Sequence, residues 1–158
     1  MNSEHLLGRL SNGSKVASWN GVNQTDPALQ PTFVTEGGYK NRPYVEFFRN
    51  SLSYFEVGSL NIKLLTNRGF TAMVLVRMTE DVPANNGERI YDFGSIGING
   101  NFLGRDNNNY GAMEAYLFSQ ADNYEYQLFS NTTIAPKNEW ALWAVSTKAS
   151  AFPNTLAF

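Results

Sequence analysis

The sequence has no cysteine, a single histidine and few charged residues, and each shortage excludes a class of function. Without cysteine, the 158-residue chain cannot form disulfide bonds, thiolate metal sites or a cysteine nucleophile. His5 alone cannot build a histidine-rich metal site, and its position near the N-terminus argues against a Ser-His-Asp triad. Charged residues make up 16% and the net charge is −2, so the basic excess typical of general nucleic-acid binders is missing. We therefore predict no nucleic-acid partner.

Long apolar stretches are missing as well. The longest lies around Met73 to Val76, whereas a membrane-spanning helix needs about 20 residues. The N-terminal segment from Met1 to Leu7 has no basic start and no apolar stretch long enough for a secretory signal. The sequence therefore predicts no membrane insertion and no signal peptide in this chain. Either a signal has been removed from the chain, or the protein does not use the secretory route.

Aromatic residues and glycine are plentiful, and they favour strands and turns over helices. The aromatic share is 14%, with 11 Phe, 8 Tyr and 13 Gly. Short apolar runs alternate with clusters of Gly, Pro, Asn and Asp along the chain. The residues from Phe70 to Met78 are apolar on both faces, which predicts a central strand covered on both sides. The predicted strands are 15–19, 43–49, 51–57, 70–78, 89–94, 96–103, 112–119, 124–129 and 139–145. We expect strand 51–57 to pair with strand 43–49.

Four Asn-Gly pairs lie beside or between these runs, and they begin at Asn12, Asn20, Asn86 and Asn99. Both residue types tolerate the positive φ that a type I′ hairpin requires. Leu60 to Leu65 could form one helical turn, but no long helical period is present. The spacing of strands and turns predicts an all-β fold, an antiparallel two-sheet β-sandwich. The three tryptophans lie in apolar strand patterns and are predicted to be core residues: Trp19, Trp140 and Trp143.

The acidic residues give no sign of a glycosidase site. A retaining glycosidase needs two carboxyl groups about 5–5.5 Å apart, which on one strand face means acidic residues two positions apart. Glu88 and Asp92 are four apart, and Asp122 and Glu125 are three apart and alternate in face. We therefore predict no catalytic residues and no enzyme activity. A glycoside hydrolase stays the least favoured alternative, because it would need a pair of acids on neighbouring strands.

The polar loop from Gly104 to Gly111 carries oxygen atoms of the kind that Ca²⁺ prefers. An EF-hand loop beginning at Asp106 would need Asp or Asn at its fifth position and Glu at its twelfth, but Tyr110 and Leu117 stand there. No motif supports Ca²⁺, so we predict no metal ligands and no cofactor. The favoured interpretation is therefore a polar turn whose Asn residues tolerate a left-handed backbone.

Several tyrosines lie in or beside Asn-rich stretches, where their rings could stack on sugars. The competing interpretation makes them strand residues whose phenol tips reach the rim of a sheet, which is ordinary for tyrosine. We predict that these loops face a glycan or a protein partner. The candidate ligand-binding residues are Tyr39, Asp106, Asn107, Asn108, Asn109, Tyr110, Tyr124 and Tyr126.

Several segments, in order along the chain, resemble the concanavalin A-like lectin/glucanase superfamily in its laminin-G-like branch. The segment 41–47 resembles a Gly-Arg-Pro-x-Val-x-Phe strand, with Asn41 in place of the usual glycine, and 90–94 resembles an Ile-x-Asp-Phe-Gly strand. After 41–47, the residues Phe48-Arg49-Asn50 stand where the family often has an Asp-Gly turn. The resemblance covers residues 15–147, and the remaining matching segments are 16–20, 29–33, 69–77 and 138–140.

The resemblance implies a jelly-roll sandwich formed by one domain over residues 1–158. Domains of this family usually continue with several strands beyond the one that starts near Trp140, whereas this chain stops at Phe158. A sandwich without those strands would expose apolar surface and an open edge. Two interpretations follow: the domain is truncated at its C-terminus, or a partner completes the sheet.

Family members bind glycans or proteins, hydrolyse glycans, or serve as building blocks of larger assemblies, so the fold does not determine the function. The lack of a signal peptide, of cysteine and of a catalytic constellation favours a non-enzymatic structural or interaction module, such as a capsid or fibre protein of a virion. The alternative is a lectin-like module for cell-surface or extracellular glycans. The expected partners are other protein subunits or glycans, and the expected location is the virion, the cell surface or the extracellular space.

Overall fold

The computed structural model describes residues 2–55, 69–80, 88–92, 102–105, 112–119, 124–134, 136–148 and 156–157. Strands account for 41% of the chain and helices for 9%, so the prediction of an all-β class is confirmed. The chain divides into two compact units, Met1–Leu60 and Asn61–Phe158. The single domain over residues 1–158 and the jelly-roll topology stay predictions.

In its described residues, the first unit contains four short strands and two single-turn 3₁₀ helices. β1 pairs with β2 and β3 pairs with β4, and both pairs are antiparallel. Lys15 forms an isolated bridge with Thr32, so the chain before β1 lies against β3. The elements in chain order are a 3₁₀ helix (Ser3–Leu6), β1 (Ser18–Trp19), β2 (Val22–Asn23), β3 (Thr32–Val34), a 3₁₀ helix (Tyr39–Asn41) and β4 (Tyr44–Glu46).

The turn between β1 and β2 confirms the hairpin predicted at Asn20-Gly21. Trp19 lies opposite Val22, so Asn20 and Gly21 between them form a two-residue loop. Asn20 has φ of 50° and Gly21 has φ of 85°, the positive values that a type I′ turn needs. At Asn12-Gly13 only the glycine is left-handed, with φ of 81°, and the other two Asn-Gly pairs lie outside the described residues.

The core of the first unit is a small apolar cluster around Phe33. Leu6, Val16 and Phe33 are buried, and Trp19 packs against them as predicted. The Trp19 indole Nε1 donates to the carbonyl oxygen of Asn2 over 3.2 Å, so the polar edge of the ring is satisfied. Two buried glutamines are satisfied in the same way. Gln30 donates to the carbonyl of Gln24 over 2.8 Å, and Gln24 donates to the carbonyl of Tyr54 over 3.3 Å.

The predicted pairing of strand 43–49 with strand 51–57 is wrong over its described part. β4 is shorter than expected and pairs with β3 instead. The described residues 51–55 belong to no strand, because a side chain closes the loop: the backbone N–H of Phe48 donates to Ser53 Oγ over 2.6 Å. Leu52 has φ of 49°, which a strand residue does not adopt. Residues 56–57 lie outside the described part of the chain.

Seven strands occupy the described residues of the second unit. β5 (Gly69–Arg77), β10 (Trp140–Lys148) and β11 (Leu156–Ala157) form a sheet of order β11-β10-β5. β6 (Glu88–Asp92), β7 (Phe102–Arg105), β8 (Ala112–Ser119) and β9 (Tyr124–Ile134) form a second sheet in chain order. All these neighbours are antiparallel. The predicted bounds of β8 are confirmed, whereas β9 runs five residues further than 124–129, from Phe129 to Ile134.

Side chains from both sheets of the second unit meet in one apolar cluster. Leu103 of β7, Met113 of β8 and Val145 of β10 are buried there. The half-buried side chains packed against this cluster are Ala72, Val74, Ile90, Tyr91 and Trp143, and the predicted core position of Trp143 is therefore confirmed. The three-stranded sheet thus turns one face toward the four-stranded sheet.

Candidate functional site

Tyr39 is the one predicted ligand-binding residue whose side chain the structure describes. It begins the short 3₁₀ helix between β3 and β4, and its side chain is exposed. Lys40 and Asn41 both have left-handed backbones, with φ of 52° and 59°. Asn41 Oδ1 accepts the backbone N–H of Gly37 over 3.0 Å, which closes the turn. The Lys40 ammonium lies 5.5 Å from the centre of the Tyr39 ring, so a cation already contacts this aromatic surface.

The Tyr39 turn is tied to the N-terminal 3₁₀ helix. Arg42 forms an exposed ion pair with Glu4, and Ser3 Oγ donates to the carbonyl oxygen of Pro43 over 2.6 Å. Exposed ion pairs of this type contribute little free energy, typically about 0–1 kcal/mol. The two contacts therefore orient the turn more than they stabilise it.

The other predicted ligand-binding residues lie in the second unit or outside the described part of the chain. Tyr124 and Tyr126 belong to β9, where their Cα partners on β8 are Ser119 and Leu117. The residues 106–110 lie outside the described residues. Because Tyr39 belongs to the first unit, a shared binding platform for these residues stays a prediction.

A metal site was not predicted, and the described residues offer no group of three or more His, Asp or Glu side chains that could hold a metal ion. The possibility of Ca²⁺ in the loop from Gly104 to Gly111 stays open, because residues 106–111 are not described. The described helices include none that is long and apolar enough to cross a membrane.

The most unusual described surface is the face of the three-stranded sheet that points away from the core of its unit. We call it the outer face and define it by eight residues of β5 and β10 that lie opposite one another in pairs. At its centre Leu75 lies opposite Leu142, and Met73 lies opposite Ala144. Met73 is 69% exposed, Leu142 is 66% exposed and Leu75 is 44% exposed. The eight residues are Thr71, Met73, Leu75, Arg77, Trp140, Leu142, Ala144 and Ser146.

The two ends of the outer face differ in polarity. At one end Arg77 lies opposite Trp140, and its guanidinium carbon is 5.2 Å from the centre of the indole ring. At the other end Thr71 lies opposite Ser146, and their hydroxyl oxygens are hydrogen-bonded at 2.9 Å. The outer face therefore runs from a cation stacked on an aromatic ring, across an apolar centre, to a pair of hydroxyls.

Two sequence predictions about this region are wrong. The strand 70–78 was predicted to be central and covered on both faces, but β5 is covered on one face, and β10 is the middle strand among the described residues. Trp140 was predicted in the core, but it lies under Arg77 on the outer face. An unbroken apolar run fits a strand buried on both faces. The sequence did contain a signal that one face of this strand is exposed, because the polar Thr71 and the charged Arg77 lie at the two ends of that face. The prediction did not use it.

Tyr91 and Arg105 are polar side chains of the second unit that are partly or fully buried. Burial raises the pKa of the Tyr91 hydroxyl well above its ordinary value of about 10. Arg105 is buried and donates from Nη2 to the carbonyl oxygen of Glu80 over 2.8 Å. Tyr91 therefore stays neutral near pH 7.

Comparison with protein-family models gives no match for this chain. Comparison with curated proteins gives none, and comparison with solved structures gives none.

Proposed function

We propose that this chain is a non-enzymatic structural module that binds another protein surface through its outer face within a larger assembly. The observation that carries the proposal is the exposed apolar centre formed by Met73, Leu75 and Leu142. Single exposed apolar side chains are normal on protein surfaces. A contiguous apolar patch with polar residues at its rim is typical of a protein interaction site.

Energetics support a protein partner for this surface. Fully burying one large aliphatic side chain contributes about 1.5–3 kcal/mol, and the centre of the outer face has three such side chains that are still largely exposed. Thr71 and Ser146 already satisfy one another, so a partner that covers them leaves their hydrogen bond intact. Covering the apolar centre and the hydroxyl end therefore gains free energy with little cost for polar groups.

The assembly we favour is a virion, in which the chain would be a capsid or fibre component with a jelly-roll sandwich fold. This extension rests on the family resemblance and on the absence of cysteine. The expected partners are other protein subunits, and the expected location is the virion or a cell surface.

The experiment compares binding of the dye 8-anilinonaphthalene-1-sulfonate (ANS), which fluoresces on apolar surfaces, to the dilute full chain and to two variants. Leu142→Glu places a charge at the centre of the outer face, and Leu52→Glu places one at a leucine of the first unit that is 71% exposed. We expect Leu142→Glu to remove most of the dye fluorescence and Leu52→Glu to leave most of it. Equal fluorescence from the wild type and Leu142→Glu would overturn the proposal.

A lectin-like module is the second candidate, and the exposed Tyr39 ring beside Lys40 favours it. An aromatic ring next to a hydrogen-bond donor is a surface on which a sugar can stack. A glycan array probed with the wild type and with Tyr39→Ala separates the two candidates. Binding that Tyr39→Ala abolishes would favour the lectin, whereas no binding by either chain would favour the structural module.

A further inference from the structure

We infer that the outer face binds a second copy of this chain, with the two faces stacked around a two-fold axis that runs across the strands. The inference rests on the proposed function, because it names the partner of the same surface. In this arrangement β5 lies over β5 of the second copy and β10 lies over β10, and the two strands of each stacked pair run in opposite directions. The Arg77 end of one copy therefore lies over the hydroxyl end of the other.

Complementary ends are the first argument for this partner. The guanidinium of Arg77 has only hydrogen-bond donors, and the hydroxyl oxygens of Thr71 and Ser146 have lone pairs that can accept from them. The donor and the acceptors lie at opposite ends of one face. A two-fold axis across the strands therefore places the Arg77 guanidinium of each copy against the Thr71 and Ser146 hydroxyls of the other copy, which gives two equivalent contacts. A self-complementary surface is what an isologous dimer requires.

Charge repulsion selects the direction of the axis. A two-fold axis along the strands would keep Arg77 of both copies at the same level, where the two cations repel each other. An axis across the strands separates them by about 20 Å along the strand direction, because Arg77 and Thr71 are six residues apart. That separation exceeds the Debye length of about 8 Å at physiological ionic strength, so the repulsion is screened.

The centre of the outer face is neutral and suits its own copy. Met73, Leu75, Leu142 and Ala144 carry no charge, and none of the eight outer-face residues is acidic. Stacked sheets bury such apolar faces against one another about 10 Å apart.

The size of the face sets the strength of the association. Eight residues of a two-strand face cover roughly 260 Å² of sheet, given the spacing of strands and residues. A stable interface buries about 800 Å² per partner. We therefore expect weak dimers, which form at high protein concentration or where many copies are held together.

Sedimentation velocity of the full chain over a concentration series tests the inference. We expect the weight-average sedimentation coefficient to rise toward that of a dimer between roughly 10 µM and 1 mM, as mass action requires. Leu142→Glu should stay monomeric over that range, and Leu52→Glu should behave like the wild type. Circular dichroism of all three chains checks that the variants fold.

The lack of cysteine allows a second, independent test with single-cysteine variants. Ala144→Cys lies one residue from the level of the axis, whereas Ser146→Cys lies three residues from it at the hydroxyl end. A short bis-maleimide should therefore cross-link Ala144→Cys to its own copy and leave Ser146→Cys as a monomer. Equal cross-linking of the two variants would contradict the axis across the strands.

The outcomes separate the second copy from the proposed function. A chain that stays monomeric at 1 mM while its dye binding still depends on Leu142 would overturn the second copy and leave a different protein as the partner. A dimer that Leu142→Glu does not weaken would also overturn the inference, because the contact would lie elsewhere. Loss of both the dimer and the dye response in the Leu142→Glu chain would support both proposals.

Discussion

Gly38 shows how one backbone contact determines the turn that presents Tyr39. A Cβ atom at this position would lie 2.3 Å from the carbonyl oxygen of Arg42, closer than such atoms approach in proteins. The same carbonyl accepts the backbone N–H of Gly38 over 2.9 Å. Gly37, the preceding residue, has open space around it but a left-handed φ of 85°. The two adjacent glycines are therefore required for different physical reasons.

Alanine at each of these glycines should give different losses of stability. Gly37→Ala should cost about 1 kcal/mol, the usual penalty of a left-handed alanine. Gly38→Ala should cost more, about 2–3 kcal/mol, because the carbonyl of Arg42 must move and its hydrogen bond must lengthen. Denaturant unfolding of both variants measures the difference. A Gly38→Ala chain as stable as Gly37→Ala would show that the carbonyl of Arg42 moves without additional cost.

Tyr91 should make the stability of the second unit fall at high pH. Burial raises the pKa of its hydroxyl in the folded state above the unfolded value of about 10, so the unfolded chain loses this proton first. The contribution of Tyr91 is therefore fully present below about pH 10 and is lost as the pH rises toward the folded-state pKa.

Tyr91→Phe isolates this contribution from the other titrating groups. Thermal unfolding of the wild type and of Tyr91→Phe between about pH 8 and 11 should give a steeper loss of stability for the wild type. Parallel curves would mean that the folded protein leaves the Tyr91 hydroxyl free to ionise.

At the scale of elements, rules that use only neighbouring residues predicted correctly the turns and strand bounds that depend only on neighbouring residues. The hairpin at Asn20-Gly21 followed from two residues that tolerate positive φ. The bounds of β8 followed from an apolar run between turn residues. The partner of strand 43–49 was not predictable in this way, because Ser53 closes the loop through its side chain and β3 takes the pairing position.

The exposure of one face of β5 could not be predicted from the sequence, for a different reason. A run of apolar residues is compatible with one buried face or with two, since the pattern does not say what covers each face. The outer face was therefore not among the predicted sites. Sequence reasoning favoured tyrosines and polar loops, whereas the clearest described surface is apolar and lies on two strands.

The two faces of β10 should respond differently to mutation. Val145 is buried against Leu103 and Met113, so Val145→Ala should lower the free energy of unfolding by about 1–3 kcal/mol. Leu142→Thr, on the exposed face of the same strand, should change it by less than about 0.5 kcal/mol. Denaturant melts of dilute protein provide the comparison. A large loss from Leu142→Thr would mean that the outer face is part of the core.

For the whole molecule, composition predicted the class correctly. The high share of aromatic residues and glycine, with little charge, led to an all-β chain, and strands do predominate. The arrangement of strands depends on contacts between residues distant in sequence, such as those of β5 with β10, and one sequence does not encode these as local signals.

The accessibility of the outer face in the intact chain tests the central claim most directly. Ser146→Cys places a thiol on the outer face, and Ser18→Cys places a matched thiol on β1 of the first unit, where both serines are exposed. The rate of maleimide labelling of each thiol is measured from dilute to concentrated protein. We expect similar rates in dilute solution and a severalfold slowing of Ser146→Cys alone near 1 mM, as association covers the face. Protection of Ser146→Cys already in dilute solution would contradict the account of the outer face as an accessible surface, and equal rates at every concentration would contradict a second copy as its partner.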